Sequence, residues 1–95
     1  MINYSIDYAK AAEKFLCKHE DVRTQFEEDI EELLIGDNPE KVDVKRIKGK
    51  RGVYYRIVIG GYRVVYTVIN GRVVVINVIL AGSRGDVYKK MKGLK

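Results

Sequence analysis

The 95-residue chain contains one cysteine, one histidine, one proline and no tryptophan. A single cysteine excludes an intramolecular disulfide, and we predict that Cys17 is a small buried or half-buried side chain on a helix. A single histidine excludes paired-imidazole chemistry, and one cysteine with one histidine cannot form the common zinc sites. We expect His19, at the end of a predicted helix, to be solvated or to cap a helix.

Long apolar runs and targeting signals are also missing. No stretch approaches the roughly 20 apolar residues of a transmembrane helix, and no segment has the charged-then-apolar pattern of a signal peptide. We therefore expect no membrane partner and a cytoplasmic location. P-loop, dinucleotide-binding and Ser-His-Asp patterns are absent too. The length allows one domain, which we assign to residues 1–95.

The formal net charge of +5 is unevenly distributed along the chain. Residues 20–32 are strongly acidic, whereas residues 45–63 carry seven lysines and arginines and no acid. Four more lysines follow Gly85. We interpret the carboxylates of residues 27–32 as a solvated helical face rather than a metal or acid–base set. The basic half favours polyanionic partners, such as nucleic acid or acidic proteins.

The first half of the chain has one strand-like and two helical patterns. Alternation over residues 2–6 predicts a strand. Ser5 or Asp7 is then expected to cap a helix that runs to about Lys18. A second helix is predicted from Glu20 to the stop signal at residues 36–39. Two helices joined by a short connection form an antiparallel hairpin.

The second half alternates with period two, which predicts strands over residues 54–59, 62–69 and 72–80. Gly60-Gly61 and Asn70-Gly71 are predicted two-residue turns. The last two runs are too apolar for a sheet with one wet face, so helices are expected to cover them on one side. The predicted fold is α+β, with the order β-α-α-β-β-β. An N-terminal strand and a helical hairpin pack on a mostly antiparallel sheet, followed by a loop and a short C-terminal segment.

Arginine, lysine and tyrosine are the chemically useful residues that remain. Arg56 alternates with apolar neighbours, Arg63 opens the next strand, and Arg84 and Tyr88 follow the turn-like Ala81-Gly82. In an antiparallel sheet these side chains can converge on one open face. An equally weighted alternative is that Arg56 and Arg63 form surface ion pairs with the helix acids, each of which contributes little to stability.

The chemistry that suits such a cluster is cleavage of an RNA phosphodiester bond by its own 2′-hydroxyl. Guanidinium groups match phosphate oxygens bidentately and stabilise the charge that develops on them. A tyrosine can stack on a base or move a proton. The reaction requires no metal and no other cofactor. Arginine is a poor general base, so a lysine or Tyr88 would have to serve.

Several short motifs carry a resemblance to a known family. They are IKG at residues 47–49, VYYRI at 53–57, GYRVVY at 61–66, VVVI at 73–76 and SRGDVY at 83–88. The chain resembles the RelE/ParE toxin superfamily, and the RelE branch in particular. The pair GYRVVY and SRGDVY, placed around two hairpin strands, is its most specific part.

The resemblance implies a toxin of a type II toxin–antitoxin system that cleaves mRNA in the ribosomal A site and is covered by a cognate antitoxin. It implies that Arg56 is a basic site residue and that Arg63 holds the scissile phosphate. Arg84 would stabilise charge or assist the leaving group. Tyr88 would stack on the target nucleotide and orient or activate its 2′-hydroxyl; the alternative for Tyr88 is packing on the sheet.

Five basic residues are expected to bind RNA or the ribosome, with an ordinary solvated loop as the alternative. They are Lys45, Arg46, Lys48, Lys50 and Arg51. Valine occupies position 58, where the resemblance implies a second lysine, so Lys48 or Lys50 would replace it or activity would be weak.

Two other functions remain open at this point. One is a ParE-like inhibitor that binds DNA gyrase without catalysis. The other is a catalytically weakened toxin fold that acts only by binding. The ending that carries Arg84 and Tyr88 favours the ribonuclease.

Overall fold

The computed structural model of the protein describes residues 3–92. Its elements are β1 (Tyr4–Tyr8), α1 (Lys10–Leu16), α2 (Glu20–Ile35), a 3-10 turn (Pro39–Lys41), β2 (Val44–Gly49), β3 (Gly52–Ile59), β4 (Tyr62–Ile69), β5 (Val74–Ser83) and α3 (Arg84–Met91). The predicted α+β fold is confirmed. Ile2, at the start of the predicted first strand, and Lys95, in the lysine-rich tail, lie outside the described residues.

The five strands form one sheet in the order β1-β5-β4-β3-β2. β1 pairs with β5 in parallel, and the other pairs are antiparallel. The most apolar strands, β4 and β5, are central as predicted. The Gly60-Gly61 turn is also confirmed, since Ile59 pairs with Tyr62 and Gly60 has φ +59°, a conformation that glycine adopts without penalty.

The hairpin of α1 and α2 covers one face of this sheet, which we call the hairpin face. Leu16 and Phe26 are fully buried there against Ile57, Val64 and Ile76. The apolar side chains of α2 recur every four residues, at positions 22, 26 and 30, so one side of the helix packs while the acidic side stays outside. The prediction of a helical hairpin is confirmed.

The opposite face of the sheet carries α3, and we call it the α3 face. Tyr54 and Val65 pack there against Val87 and Met91, which lie one helical turn apart. Ser83 caps the helix by accepting a hydrogen bond from the Asp86 backbone N–H at 3.4 Å. The short C-terminal segment, which was expected to follow a loop, is instead a helix that directly follows β5 and covers the second face of the sheet.

Two segments belong to strands although the sequence predicted no strand there: residues 44–49, and Ala81-Gly82. Residues 44–49 form β2 at the sheet edge, where the outer side of the strand is solvated and charged side chains are tolerated. Ala81 and Gly82 are not a turn, because they continue β5 and pair with Val64 and Arg63.

The predicted two-residue turn at Asn70-Gly71 is wrong as well. The last pair of the hairpin is Ile69 with Val75, so five residues intervene. Val74 instead donates its backbone N–H to the Asn3 carbonyl at 3.0 Å, so the start of β5 follows β1.

The ends of α1 differ from the prediction. β1 extends to Tyr8, so Ser5 and Asp7 lie in the strand, and Ala9 precedes the helix without a side-chain cap. The helix ends at Leu16 rather than near Lys18. Among residues 3–92, no helix has both the length and the apolar character that a bilayer crossing requires.

Cys17 and His19 also depart from expectation. Cys17 is exposed, and its thiol lies 3.2 Å from the Lys14 carbonyl oxygen. His19 is half-buried at the start of α2, makes no side-chain cap and stacks on Phe15 with 4.2 Å between ring centroids. The buried side of the α1–α2 junction is therefore filled by aromatic rings, which leaves the cysteine on the outside.

Candidate active site

Strand register places Arg56 and Arg63 on the α3 face. Arg56 is opposite Val65, and Arg63 is opposite Val58. Directly opposed residues of an antiparallel pair share a face, and Val65 belongs to the core under α3. The two arginines are therefore diagonal neighbours on the same side of the sheet, as the sequence predicts.

The third helix brings Tyr88 and Arg84 to these arginines. Arg56 Nη1 donates a hydrogen bond to the Tyr88 hydroxyl at 3.0 Å. The Arg84 guanidinium lies 5.6 Å from the centroid of the Tyr88 ring. Tyr88 is 37% exposed, so its ring and hydroxyl remain accessible to a ligand. Arg56 and Arg84, two of the predicted catalytic residues, thus meet at the phenol of a third, and Tyr88 is too exposed to be a core residue of the sheet.

Arg63 lies at the end of the cluster nearest the Gly60-Gly61 turn. Its Nη1 donates to the carbonyl oxygens of Tyr62 at 2.9 Å and Gly60 at 3.2 Å. These bonds fix part of the guanidinium and leave its other N–H groups available.

The electrostatics of Tyr88 reflect this surrounding charge. Desolvation alone would raise the pKa of the Tyr88 phenol, but the positive charge of Arg56 and the neighbouring guanidiniums of Arg63 and Arg84 outweigh it. The net pKa is therefore lower than that of an ordinary tyrosine. A lowered pKa makes the phenolate more accessible, which suits a proton acceptor.

Two guanidinium nitrogens at the site have unused hydrogen-bonding capacity. Nε of Arg56 and Nε of Arg63 are both buried and have no partner among residues 3–92. Buried donors are nearly always paired in folded proteins. Because both nitrogens have almost no exposed surface, a ligand would reach these arginines through their Nη groups instead.

The alternative that these arginines pair with the helix acids is wrong. Within the described part of the chain, the ion pairs are Arg23 with Glu27 and Lys41 with Glu32. Both involve α2, which packs on the hairpin face, so the sheet separates those acids from Arg56 and Arg63.

A cleft of about 610 Å³ opens beside Arg56, between β2 and the end of α3. We call it the β2–α3 cleft. It is lined by Lys45, Arg46, Ile47, Lys48, Arg56, Tyr88, Met91 and Lys92. Of these, Ile47, Met91 and Lys92 were not expected in the site. The cap formed by Ser83 and Asp86, with apolar residues at 87 and 91, is the signal that would have revealed the helix.

The five basic residues predicted to bind RNA do not form one group. Lys45 is directly opposite Arg56 and shares its face, whereas Arg46 and Lys48 alternate toward the other face although their strand borders the cleft. Lys50 and Arg51 form the turn between β2 and β3, as expected for a basic loop. Lys48 alternates away from the face of Val58, although it lines the cleft that Tyr88 also lines, and Lys50 lies in the turn, so neither occupies the position of a lysine at residue 58.

Val58 itself lies inside the site, because it is paired with Arg63 on the α3 face. A lysine at this position would have joined the arginine cluster directly. Among residues 3–92, no group of three or more His, Cys, Asp or Glu side chains is placed to hold a metal ion.

Comparisons with known proteins give two matches. The family model described as "ParE toxin of type II toxin-antitoxin system, parDE" matches residues 6–85. A chain in the crystal structure of the RelB-RelE antitoxin-toxin complex from Methanococcus jannaschii is 30% identical. That match covers 87% of this chain and 95% of the other, with a TM-score of 0.57. No curated protein shows a significant match.

Proposed function

The chain belongs to the RelE/ParE toxin superfamily of type II toxin–antitoxin systems, and on that premise we propose that it is a ribosome-dependent endoribonuclease. It cleaves mRNA by attack of a 2′-hydroxyl on the adjacent phosphate, and so inhibits translation. The substrate class rests on the site: a cluster of guanidiniums around an accessible phenol fits a phosphodiester.

The observation that carries the proposal is the meeting of two guanidiniums at one phenol: Arg56 Nη1 lies 3.0 Å from the Tyr88 hydroxyl, and the Arg84 guanidinium lies 5.6 Å from the ring centroid. A phosphorane intermediate carries two negative charges on its oxygens. Donors that are already in place stabilise such charge without reorganisation, and guanidinium is the donor best matched to phosphate. An inhibitor that acts only by binding does not need a phenol with a lowered pKa.

The reaction can be written with these side chains alone. The Tyr88 phenolate takes the proton of the 2′-hydroxyl, and O2′ bonds to phosphorus. Arg56 and Arg63 bind the non-bridging oxygens, and Arg84 stabilises charge on the departing O5′. The P–O5′ bond then breaks and O5′ takes a proton from solvent. The products are a 2′,3′-cyclic phosphate and a 5′-hydroxyl.

The remaining partners follow from the same proposal. Lys50 and Arg51 at the β2–β3 turn, with Arg46 and Lys48 on the edge strand, provide cations for ribosomal RNA. A cognate antitoxin binds the protein, as in the solved antitoxin–toxin complex of the relative. We expect it to inhibit the toxin by covering the arginine cluster. The protein acts in the cytoplasm, where its ribosomal target lies.

The test is cleavage of mRNA on programmed ribosomes, with the same mRNA alone as a control. We expect a cut in the A-site codon only when ribosomes are present. The double variant Arg84→Ala, Tyr88→Ala should cut at least about a thousandfold more slowly, because it loses a charge-stabilising group and the proton acceptor. Arg72→Ala is the matched charge control, since Arg72 is exposed and follows β4 at the end opposite Arg63.

A second candidate function is inhibition of DNA gyrase, which the ParE name of the matching family model favours. It is tested by adding the protein to a gyrase supercoiling assay. Loss of supercoiling together with intact mRNA on programmed ribosomes would contradict the ribonuclease and support the gyrase inhibitor.

A further inference from the structure

The turn between β3 and β4 is hydrogen-bonded to two of the predicted catalytic arginines. The carbonyl oxygens of three successive residues each accept a bond from one of them. Gly60 at 3.2 Å and Tyr62 at 2.9 Å accept from Nη1 of Arg63. Gly61 accepts from the backbone N–H of Arg84 at 3.3 Å. The turn is therefore joined to a guanidinium of the site and to the first residue of α3.

The bonds to the turn restrict how the guanidinium of Arg63 can move. Nη1 carries two hydrogens, and the turn offers it two carbonyl oxygens, those of Gly60 and Tyr62. Nε of the same guanidinium is buried. Because the group is planar, it cannot rotate about its Nε–Cζ bond without breaking both hydrogen bonds. A donor that is fixed in advance is what the stabilisation of developing charge requires.

The direction of the Gly60 carbonyl depends on an unusual backbone conformation. Gly60 has φ +59°, and the φ of Gly61 is not positive. This is the pattern of a type II′ hairpin turn, which favours glycine at its first central position. Apart from the chain neighbours, no heavy atom of residues 3–92 lies within 4 Å of the place that a Cβ would take at Gly60. The requirement for glycine is therefore conformational rather than a matter of space.

We propose that Gly60 is a positioning residue of the arginine site and acts through Arg63. Its positive φ directs the carbonyl oxygen at Nη1, and this bond holds the rest of the guanidinium where the scissile phosphate binds. The part of Arg63 in cleavage rests on the function proposed above, whereas the restriction of its side chain by the turn does not. Gly60 itself contacts no substrate.

The first test measures rotation of the Arg63 guanidinium about Nε–Cζ by NMR of the isotope-labelled protein. Arg72 is the internal reference, because it is an exposed arginine beyond the other end of β4. In the wild type, rotation should be at least about fivefold slower at Arg63 than at Arg72, as expected for one hydrogen bond that must break. In Gly60→Ala the two rates should become similar. No RNA is involved, so this result does not depend on the proposed reaction.

The second test is kinetic and uses programmed ribosomes. Gly60→Ala should slow cleavage at saturating ribosome concentration by about 10–100-fold, since a misplaced catalytic group costs up to about a hundredfold. The ribosome concentration that gives the half-maximal rate should change by less than about twofold, because the charge of Arg63 remains. Gly60→Asn should recover most of the rate, since asparagine tolerates a positive φ.

Gly71→Ala is the matched control for both tests. Gly71 lies in the loop between β4 and β5, and its φ is not positive. A Cβ at this position would meet the Val73 carbonyl oxygen at 3.7 Å, an ordinary contact. The same change of glycine to alanine should therefore leave the rate of cleavage and the rotation of Arg63 as in the wild type.

Combination with Arg63→Ala separates positioning from a general loss of structure. If Gly60 acts through Arg63, Gly60→Ala should cost less than about threefold in the Arg63→Ala background, whereas the effects of independent residues would multiply. A merely structural effect of the turn would slow both backgrounds by the same factor.

Three results would overturn the proposal. They are equal rotation of Arg63 and Arg72 in the wild type, an unchanged rate of cleavage for Gly60→Ala, or the same loss of rate with and without Arg63. The first is measured on the wild type and decides the question even if Gly60→Ala does not fold. Slow rotation that Gly60→Ala releases, together with no cut by the wild type on programmed ribosomes, would retain the positioning of Arg63 and reject the endoribonuclease.

Discussion

The two faces of the sheet carry different kinds of side chain from the same strands: apolar residues on the hairpin face and arginines on the α3 face. Ile57 and Val64 on the hairpin face are fully buried under two helices. Arg56 and Arg63, their immediate neighbours in sequence, point to the α3 face, where the short helix α3 covers a core of four buried residues among those at positions 3–92. The alternation of strand side chains thus lets β3 and β4 stabilise the fold on one face and present cations on the other.

The tyrosines of the two faces show the same contrast. The pKa of Tyr66 on the hairpin face is raised, mainly because the phenol is buried and to a smaller extent because of the nearby Tyr55. Three arginines lower the pKa of Tyr88 on the α3 face despite desolvation. The surroundings, rather than the residue type, determine which phenol can act as a proton acceptor.

The largest effect is expected from Phe26→Ala on the hairpin face. Phe26 is fully buried, and its ring lies 5.8 Å from Tyr66 and 6.5 Å from Tyr8 between centroids. Its removal should lower the free energy of unfolding by about 3–5 kcal/mol, measured by urea denaturation. Met91→Ala on the α3 face is the variant for comparison. It should lower the free energy of unfolding by about 2 kcal/mol, because a terminal helix can relax into the space that the side chain leaves. Equal losses would contradict the difference between the faces.

The next effect concerns activity rather than stability. Arg63→Ala should slow mRNA cleavage by about 10²–10³-fold, since it removes a charge-stabilising donor. The free energy of unfolding should change by no more than about 1 kcal/mol, because its bonds to Gly60 and Tyr62 are partly exposed. Arg63→Lys should be intermediate, as an ammonium cannot bind phosphate bidentately. If Arg63→Ala were unstable but cleaved mRNA at the normal rate, Arg63 would serve stability rather than activity, contrary to the role assigned to the α3 face.

The smallest effect is a pH dependence with opposite sign on the two faces. The pKa of Tyr66 is higher in the folded than in the unfolded chain. The stability that the protonated Tyr66 contributes to the folded state is therefore fully present below about pH 10 and is lost as pH rises further. Tyr66→Phe should remove up to about 1.4 kcal/mol per pH unit of that alkaline loss.

Tyr88→Phe is the matched variant for this measurement. The folded pKa of Tyr88 is depressed, so its ionisation favours the folded state at high pH, and that contribution is lost as pH falls through the folded pKa. Urea denaturation of both variants between about pH 9 and pH 11 gives the comparison. The same pH dependence for both would show that the faces do not differ electrostatically.

Long periodic segments could be predicted from the sequence. Val22, Phe26 and Ile30 recur at helical spacing before Gly36, and α2 occupies that stretch as expected. The strand β2 could not, because Lys45, Arg46 and Lys48 break the alternation of apolar residues, and an edge strand tolerates this. The helix α3 was missed because Gly85 and Asp86 are typical of turns.

The site could be predicted in part. The motifs that contain Arg56, Arg63, Arg84 and Tyr88 predict these residues as a site. The structure brings Arg56 and Arg84 to Tyr88 and places Arg63 on the same face of the sheet. The distinction between Lys45 and its basic neighbours could not be made from sequence. The side on which a strand residue projects depends on pairing register, and β2 was not recognised as a strand.

The placement of Arg84 and Tyr88 on α3 gives the site a thermal weakness that the sheet does not share. An eight-residue helix is marginal by itself, and here Val87 and Met91 are its buried anchors. Amide protons of α3 should therefore exchange with deuterium through local opening of the helix, whereas amide protons of β4 and β5 should exchange only when the whole protein unfolds. Heating should reversibly inactivate the protein at temperatures at which the sheet is still folded. The midpoint temperature of inactivation should therefore lie below the midpoint temperature of unfolding.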